Sequence, residues 1–216
     1  MRIFPQTRAG NIRLAFLLVV LLIMFGRAYA WPFYWYLSYH PQEGDLIFQS
    51  LPKIDIVEAI EGVSGSPYSH CGVVVSRQGK WRVNEALVTV HDTPLFEWIA
   101  RGRGARFCVY RLKPEFGVHI PALLKALEKY QGRPYDARYR LDDESIYCSE
   151  LIFKAFKDAS GIELGKLMKL GEMNWKPYAK TIMEFEGADP PLDRLMITPG
   201  HLAQAEQLVS VFTNGL

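Results

Sequence analysis

The chain reads as one α+β domain whose strands and helices are largely segregated into separate layers. Three observations carry that reading. A β-branched run from Tyr68 to Val75 turns at Gln78–Gly79 and returns as Trp81–Leu87, the pattern of a hairpin. Cys148, Leu151, Ile152, Ala155 and Phe156 fall at the i, i+3, i+4, i+7, i+8 spacing of an amphipathic helix. No internal repeat or linker divides the 216 residues, and 49% hydrophobic content suffices for one sizeable core.

The first thirty residues differ from the rest. Arg2, Arg8 and Arg13 precede an unbroken apolar run from Leu14 to Phe25, followed by Ala28–Tyr29–Ala30. A basic start, a twelve-residue apolar stretch and a small-x-small site describe a secretory signal peptide. Twelve residues are short for a membrane span and Arg27 blocks their extension, so an uncleaved anchor is the second reading. The expected organisation is therefore residues 1–30 as signal or anchor and 31–216 as a single domain. The protein is expected to be exported, periplasmic or extracellular, with membrane-surface association if the anchor is retained. Removing the segment takes four arginines and no acid, leaving 21 basic against 23 acidic residues, net −2. With no basic stripe, nucleic acid is excluded as a partner.

Trp31 to Tyr36 places five aromatics in six residues, a run expected to pack against the domain. Gly44–Gln49 alternates as a first strand, and Ile54–Ile60 has helical spacing before Gly62. Val63–Pro67 is a loop by composition and leads into the Tyr68–Val75 strand. A short helix from Pro94 stops at Gly102, and Arg106–Leu112 reads as a strand. Pro121 suits a first helical turn, with Leu123, Leu124 and Leu127 on one face before Gly132. The pattern weakens beyond Gly161 through Pro177 and Pro190–Pro191. Pro199–Leu208 reads as a last helix and Val209–Phe212 as a final strand.

The Ser145–Phe156 stretch holds the main chemical candidate. Ser145 is the expected N-cap, with Asp142, Asp143 and Glu144 at the entry and Gly161 ready to end the helix. That puts Cys148 in the first turn, where free backbone N–H groups and the helix dipole favour a thiolate. A cysteine on a buried helix face is more often a small apolar core residue, and a partner base decides between the two. The other cysteines are Cys71 and Cys108, both in strand-like runs. A bridge between them would leave Cys148 free, and an odd count leaves at least one thiol unpaired in an exported protein.

Of the five histidines, His70 stands at the start of the buried strand, directly after the Gly/Ser/Pro loop. An isolated histidine is more often structural than catalytic. Neighbouring strand residues point to opposite faces, so Cys71 is expected to be core and not to share the site of His70. Glu85 lies on the strand that the turn brings back beside His70, in an otherwise apolar run. If buried it needs a partner, and an imidazole across the hairpin supplies one. Hairpin alternation alone leaves Glu85 equally free to face solvent.

Three blocks of the sequence together carry a resemblance. These are Gly44–Phe48; Ser69–Val74 with Asn84–Glu85–Ala86; and Gly132–Asp136 followed by Tyr147–Leu151. They resemble the YiiX/YaeF type of permuted papain-like cysteine amidases, a circularly permuted branch of the NlpC-like hydrolases in which histidine precedes cysteine. The likeness runs from about Gly44 to Phe156, more weakly at Ile197–Pro199. It implies a small antiparallel sheet or barrel packed against helices, with Cys148 as nucleophile, His70 as general base and Glu85 orienting the imidazole. Tyr68 and Tyr135 match aromatic positions near the family's cleft and are the expected substrate-binding residues. The implied activity is hydrolysis of an amide or acyl-ester bond in a small-molecule, peptide or lipid substrate, without a cofactor. The cell envelope is the expected source of that substrate.

Rival readings use the same residues. A silent cleft could hold a peptide or lipid without turnover, and an acyl-cysteine could pass its acyl group to an amine or alcohol instead of water. Cys71, Cys148, His70 and Glu85 are all possible zinc ligands, yet no C-x-x-C, H-x-x-x-H or H-E-x-x-H pairing appears, so no metal is expected.

Overall fold

The computed structural model describes residues 8–216. In chain order the elements are α1 (Arg8–Ser38), β1 (Leu46–Gln49), α2 (Asp55–Ser64), β2 (His70–Arg77), β3 (Lys80–Ala86), β4 (Val90–Pro94) and α3 (Leu95–Arg101). They continue as β5 (Phe107–Leu112), α4 (Ile120–Glu128), α5 (Cys148–Ser160), β6 (Met168–Lys169), α6 (Ala179–Glu186), β7 (Leu195–Met196), α7 (Pro199–Ala203) and β8 (Leu208–Thr213). Six strands form one sheet in the order β4-β3-β2-β1-β5-β8, antiparallel at every step. The two-residue strands β6 and β7 pair separately.

Helices cover the sheet on both faces. Leu46, Phe48, Cys71, Val73 and Val75 face one core shared with Leu123 and Leu127 of α4 and Leu151, Ile152 and Phe156 of α5. Ile47, Val74, Val83, Phe107 and Val109 face the other, against Leu95, Trp98 and Ile99 of α3. Burial on both sides explains why the first six residues of β2 read as a buried run, and it leaves β1 buried throughout where the sequence reading expected alternation. Helices and sheet form an α+β fold, as the sequence predicts.

Several boundaries depart from the sequence reading. Strand β4 is absent from it, because Val90–Pro94 alternates too briefly between polar residues to register by pattern. The last helix stops at Ala203, and β8 begins at Leu208. Ser145 is not the cap of α5. The Asp142 carboxylate takes the Glu144 and Ser145 N–H groups, at 3.0 and 3.2 Å, and the Ile146 N–H bonds Pro134 O. The chain therefore stays extended through Tyr147, and the helix opens at Cys148.

At the N-terminus, Arg2 of the signal reading lies outside the described residues. From Arg8 a single helix runs through 28–30 and into the aromatic run. Phe33 and Tyr36 approach Phe96 of α3 at 6.4 and 6.0 Å, and Trp35 meets Phe212. Trp31 and Tyr34 stay exposed, as do Leu14, Phe16, Leu17, Ile23 and Met24. Among the described residues no helix is long and apolar enough to cross a membrane.

Candidate active site

The first residue of α5 is Cys148, so its sulfur sits where the helix has unpaired N–H groups and the positive end of its dipole. The helix start is tied down on several sides. Glu150 reaches back to accept the Tyr147 N–H at 3.2 Å. Tyr147 Oη accepts the Ile197 N–H at 3.1 Å, and Ser149 Oγ donates to Ile197 O at 2.8 Å. At the other end Gly161, in the left-handed region at φ 73°, stops the helix as expected.

Helix α5 packs across β2. His70, the first residue of that strand, is 1% exposed. Its ring nitrogen Nε2 bonds Glu85 Oε2, which leaves Nδ1 for the hydrogen bond to Cys148. Glu85, on β3, is fully buried. The structure thus brings the three residues 70, 85 and 148 into one line of contacts. Gly72 permits the close approach: a Cβ there would lie 2.4 Å from Val83 and 2.8 Å from the Asn84 carbonyl.

Glu85 has more partners than the hairpin alone supplies. Oε1 accepts from Thr93 Oγ1 at 2.5 Å. Oε2 accepts from Trp98 Nε1 at 3.1 Å and Arg101 Nη2 at 2.5 Å, besides His70. Burial pushes the carboxyl toward its neutral form, but the His70 bond and the charges of His70 and Arg101 outweigh it and hold its pKa at about 2. Burial likewise disfavours the His70 cation. The bonds to Cys148 and Glu85 overcome that and raise its pKa to about 9.

Cys71 needs correction. It is core, as expected, but it does share the site: its thiol lies close enough to the Cys148 sulfur to lower the pKa of that group by a hydrogen bond. The N-terminal end of α5 lies over the beginning of β2, so the sulfur meets the strand's first two residues, whichever face each prefers. The Cys71 thiol bond is the largest influence holding Cys148 well below an ordinary thiol; burial opposes it, and the bond and charge of His70 assist. Cys71 itself is pushed up, first by burial and then by Cys148, so it remains a thiol. The two directions, Cys148 lowered and His70 raised, favour a thiolate beside an imidazolium. All three cysteines are free, and Cys108 Sγ contacts Thr213 Oγ1 at 3.1 Å instead of bridging Cys71.

The two tyrosines expected near the cleft fall in different places. Tyr135 and Tyr139 join hydroxyls at 3.2 Å close enough to Cys148 for its charge to disfavour their ionisation, behind the larger effect of burial. Tyr68 instead points its hydroxyl to Tyr110, at 3.2 Å, and packs on Phe48. Sequence reasoning missed Thr93, Trp98, Arg101 and Tyr139. Only the one-turn spacing of Trp98 and Arg101, which puts them on the same face of α3, hints at a shared partner.

The sequence matches the family model described as permuted papain-like amidase enzyme, YaeF/YiiX, C92 family, across residues 40–212. The chain belongs to that family. Among named proteins it is 32% identical over 198 residues to uncharacterized protein YiiX of Escherichia coli strain K12, covering 90% of this chain and 94% of that one. A crystal structure of yiiX from Escherichia coli O157:H7, described there as a metalloprotein, superposes with a TM-score of 0.77 at 33% identity. That match covers 82% of this chain and 99% of the other.

The side chains at this centre do not fit a metal ion. Both Glu85 oxygens are occupied by donors, one of them the Arg101 cation. Among the described residues no group of three or more His, Cys, Asp and Glu is arranged to hold a metal.

Proposed function

We propose that the protein is an exported cysteine hydrolase that cleaves amide or acyl-ester bonds through Cys148, His70 and Glu85. The observation that carries this reading is the unbroken run of contacts from sulfur to imidazole to a carboxylate held ionised in the core. Family membership supports amide hydrolysis as the class of reaction.

In this mechanism the Cys148 thiolate attacks the carbonyl carbon, and the π electrons move to oxygen. The Cys148 backbone N–H, free at the helix start, donates to that oxyanion. As the tetrahedral adduct collapses, the imidazolium of His70 gives its proton to the leaving nitrogen or oxygen. The now neutral imidazole takes a proton from water, which attacks the acyl-cysteine and releases the acid and the thiolate. Glu85 holds the ring with Nδ1 toward sulfur and stabilises its charged form. The Tyr135 hydroxyl borders the space where the substrate sits.

The substrate is proposed to be a peptide or lipid of the cell envelope. The basic start and apolar run of the first thirty residues support export. An apolar cavity walled by Ile60, Val63, Ile182, Phe185 and Met196 shares Tyr139 with the site and would accept an apolar group of the substrate. Purified protein offered amide and ester acyl donors, with products identified by mass, tests the proposal. Released acid and a Cys148-linked acyl adduct are expected; full turnover by Cys148→Ala would refute it.

A further inference from the structure

Orienting an imidazole requires one oxygen of a carboxylate. Glu85 Oε2 does that for His70 while also accepting from Trp98 and Arg101. Two cations, the imidazolium and the guanidinium, therefore draw on the same oxygen. Glu85 is sealed from solvent, whereas the Arg101 side chain is 27% exposed and keeps part of its hydration. Trp98 and Arg101 stand one turn apart at the end of α3, so the element that packs beneath the sheet also delivers the second cation.

We propose that Arg101 is a positioning residue of the Cys148–His70–Glu85 centre: by sharing the charge of Glu85 it limits how tightly His70 holds its proton. The proposal rests on the catalytic reading above. A general acid that kept its proton too firmly would transfer it poorly to the leaving group, so a competing cation improves the match to neutral pH. The other ionisable groups facing the pair are Cys148 from α5, Cys71 from β2, and His91 from β4, whose Nε2 lies 3.9 Å from Glu85 Oε1. Thr93 and Trp98 add neutral donors only. Among these groups Arg101 is the permanent cation. His70 is already raised to about 9 with Arg101 in place, and removing that cation leaves more of the Glu85 charge to the imidazole.

The test is an NMR titration of the His70 ring in the full chain, which needs no substrate, alongside the pH profile of turnover. Arg101→Gln and Arg101→Met are expected to move the His70 midpoint upward by roughly half to one pH unit, with the alkaline limb of kcat following it. Arg101→Lys restores the charge and is expected to return both toward wild type. An unmoved midpoint in folded Gln and Met variants overturns the proposal. So does failure of both to fold while the Lys variant folds, since Arg101 would then be only a structural bridge. Failure of the catalytic reading is seen separately, as a Cys148→Ala protein that still turns over with the Arg101 shift intact.

Discussion

Two fully buried glutamates lie on different elements of the domain, and their surroundings drive them in opposite directions. Glu85, on β3, is held near pKa 2 despite burial because the His70 imidazolium and the Arg101 guanidinium converge on it. Glu150, the third residue of α5, has Lys154 at 2.9 Å and the Tyr147 N–H, with Asp136 nearby opposing its charge. There burial wins, and the pKa rises to about 7. Desolvation is common to both; the count and charge of donors decides which form is present.

The comparison is broken most severely at the sulfur it serves. Cys148→Ala and His70→Ala are each expected to lower kcat at least about 10³-fold without abolishing folding, measured as turnover beside thermal melting. Next is Glu85 itself. Glu85→Gln keeps the shape but removes the charge facing Arg101 and His70, so roughly 10²-fold in kcat and about 3 kcal/mol of stability should be lost. Its His70 midpoint should fall below the wild-type value of about 9.

The sign of each shift gives two pH experiments. His70 must be protonated to serve as acid, so turnover should fall as pH rises through about 9. A plateau reaching pH 11 would show that the imidazolium does not act in the reaction. Glu85, depressed from 4.5 to about 2, contributes stability that is present above pH 4.5 and lost as pH falls toward 2. Glu150, raised from 4.5 to about 7, works the other way: the folded state binds the extra proton, so stability falls as pH rises between 4.5 and 7. Glu150→Gln should therefore flatten that slope and, at pH 8, stabilise the fold by on the order of 1–3 kcal/mol in denaturant titrations.

The smallest effect sharpens the contrast through the two tyrosine pairs. Both have hydroxyls 3.2 Å apart, but only Tyr135 and Tyr139 feel the Cys148 charge. Tyr135→Phe should lower kcat/KM several-fold, whereas Tyr68→Phe should leave kcat/KM unchanged and cost about 1 kcal/mol of stability. Equal kinetic effects would place both pairs at the cleft.

Much of the site could be read from the chain. Helical spacing located Cys148 within a turn of its true position, and the hairpin set His70 beside Glu85 because adjacent antiparallel strands are a local consequence of the Gln78–Gly79 turn. Ser145 misled because Asp142 caps a turn with a side chain that competes for the same N–H groups. Cys71 misled because strand alternation describes a sheet's faces and says little about a helix end that overlies a strand's first residues.

Sequence alone determined the β2–β3 hairpin, the thiol at a helix start and the histidine at a strand start, since each is set by contacts a few residues apart. Only the tertiary structure decided which groups charge them. The Cys71 thiol, Thr93, Trp98 and Arg101 act through space, and burial amplifies every such contact by removing the water that would screen it.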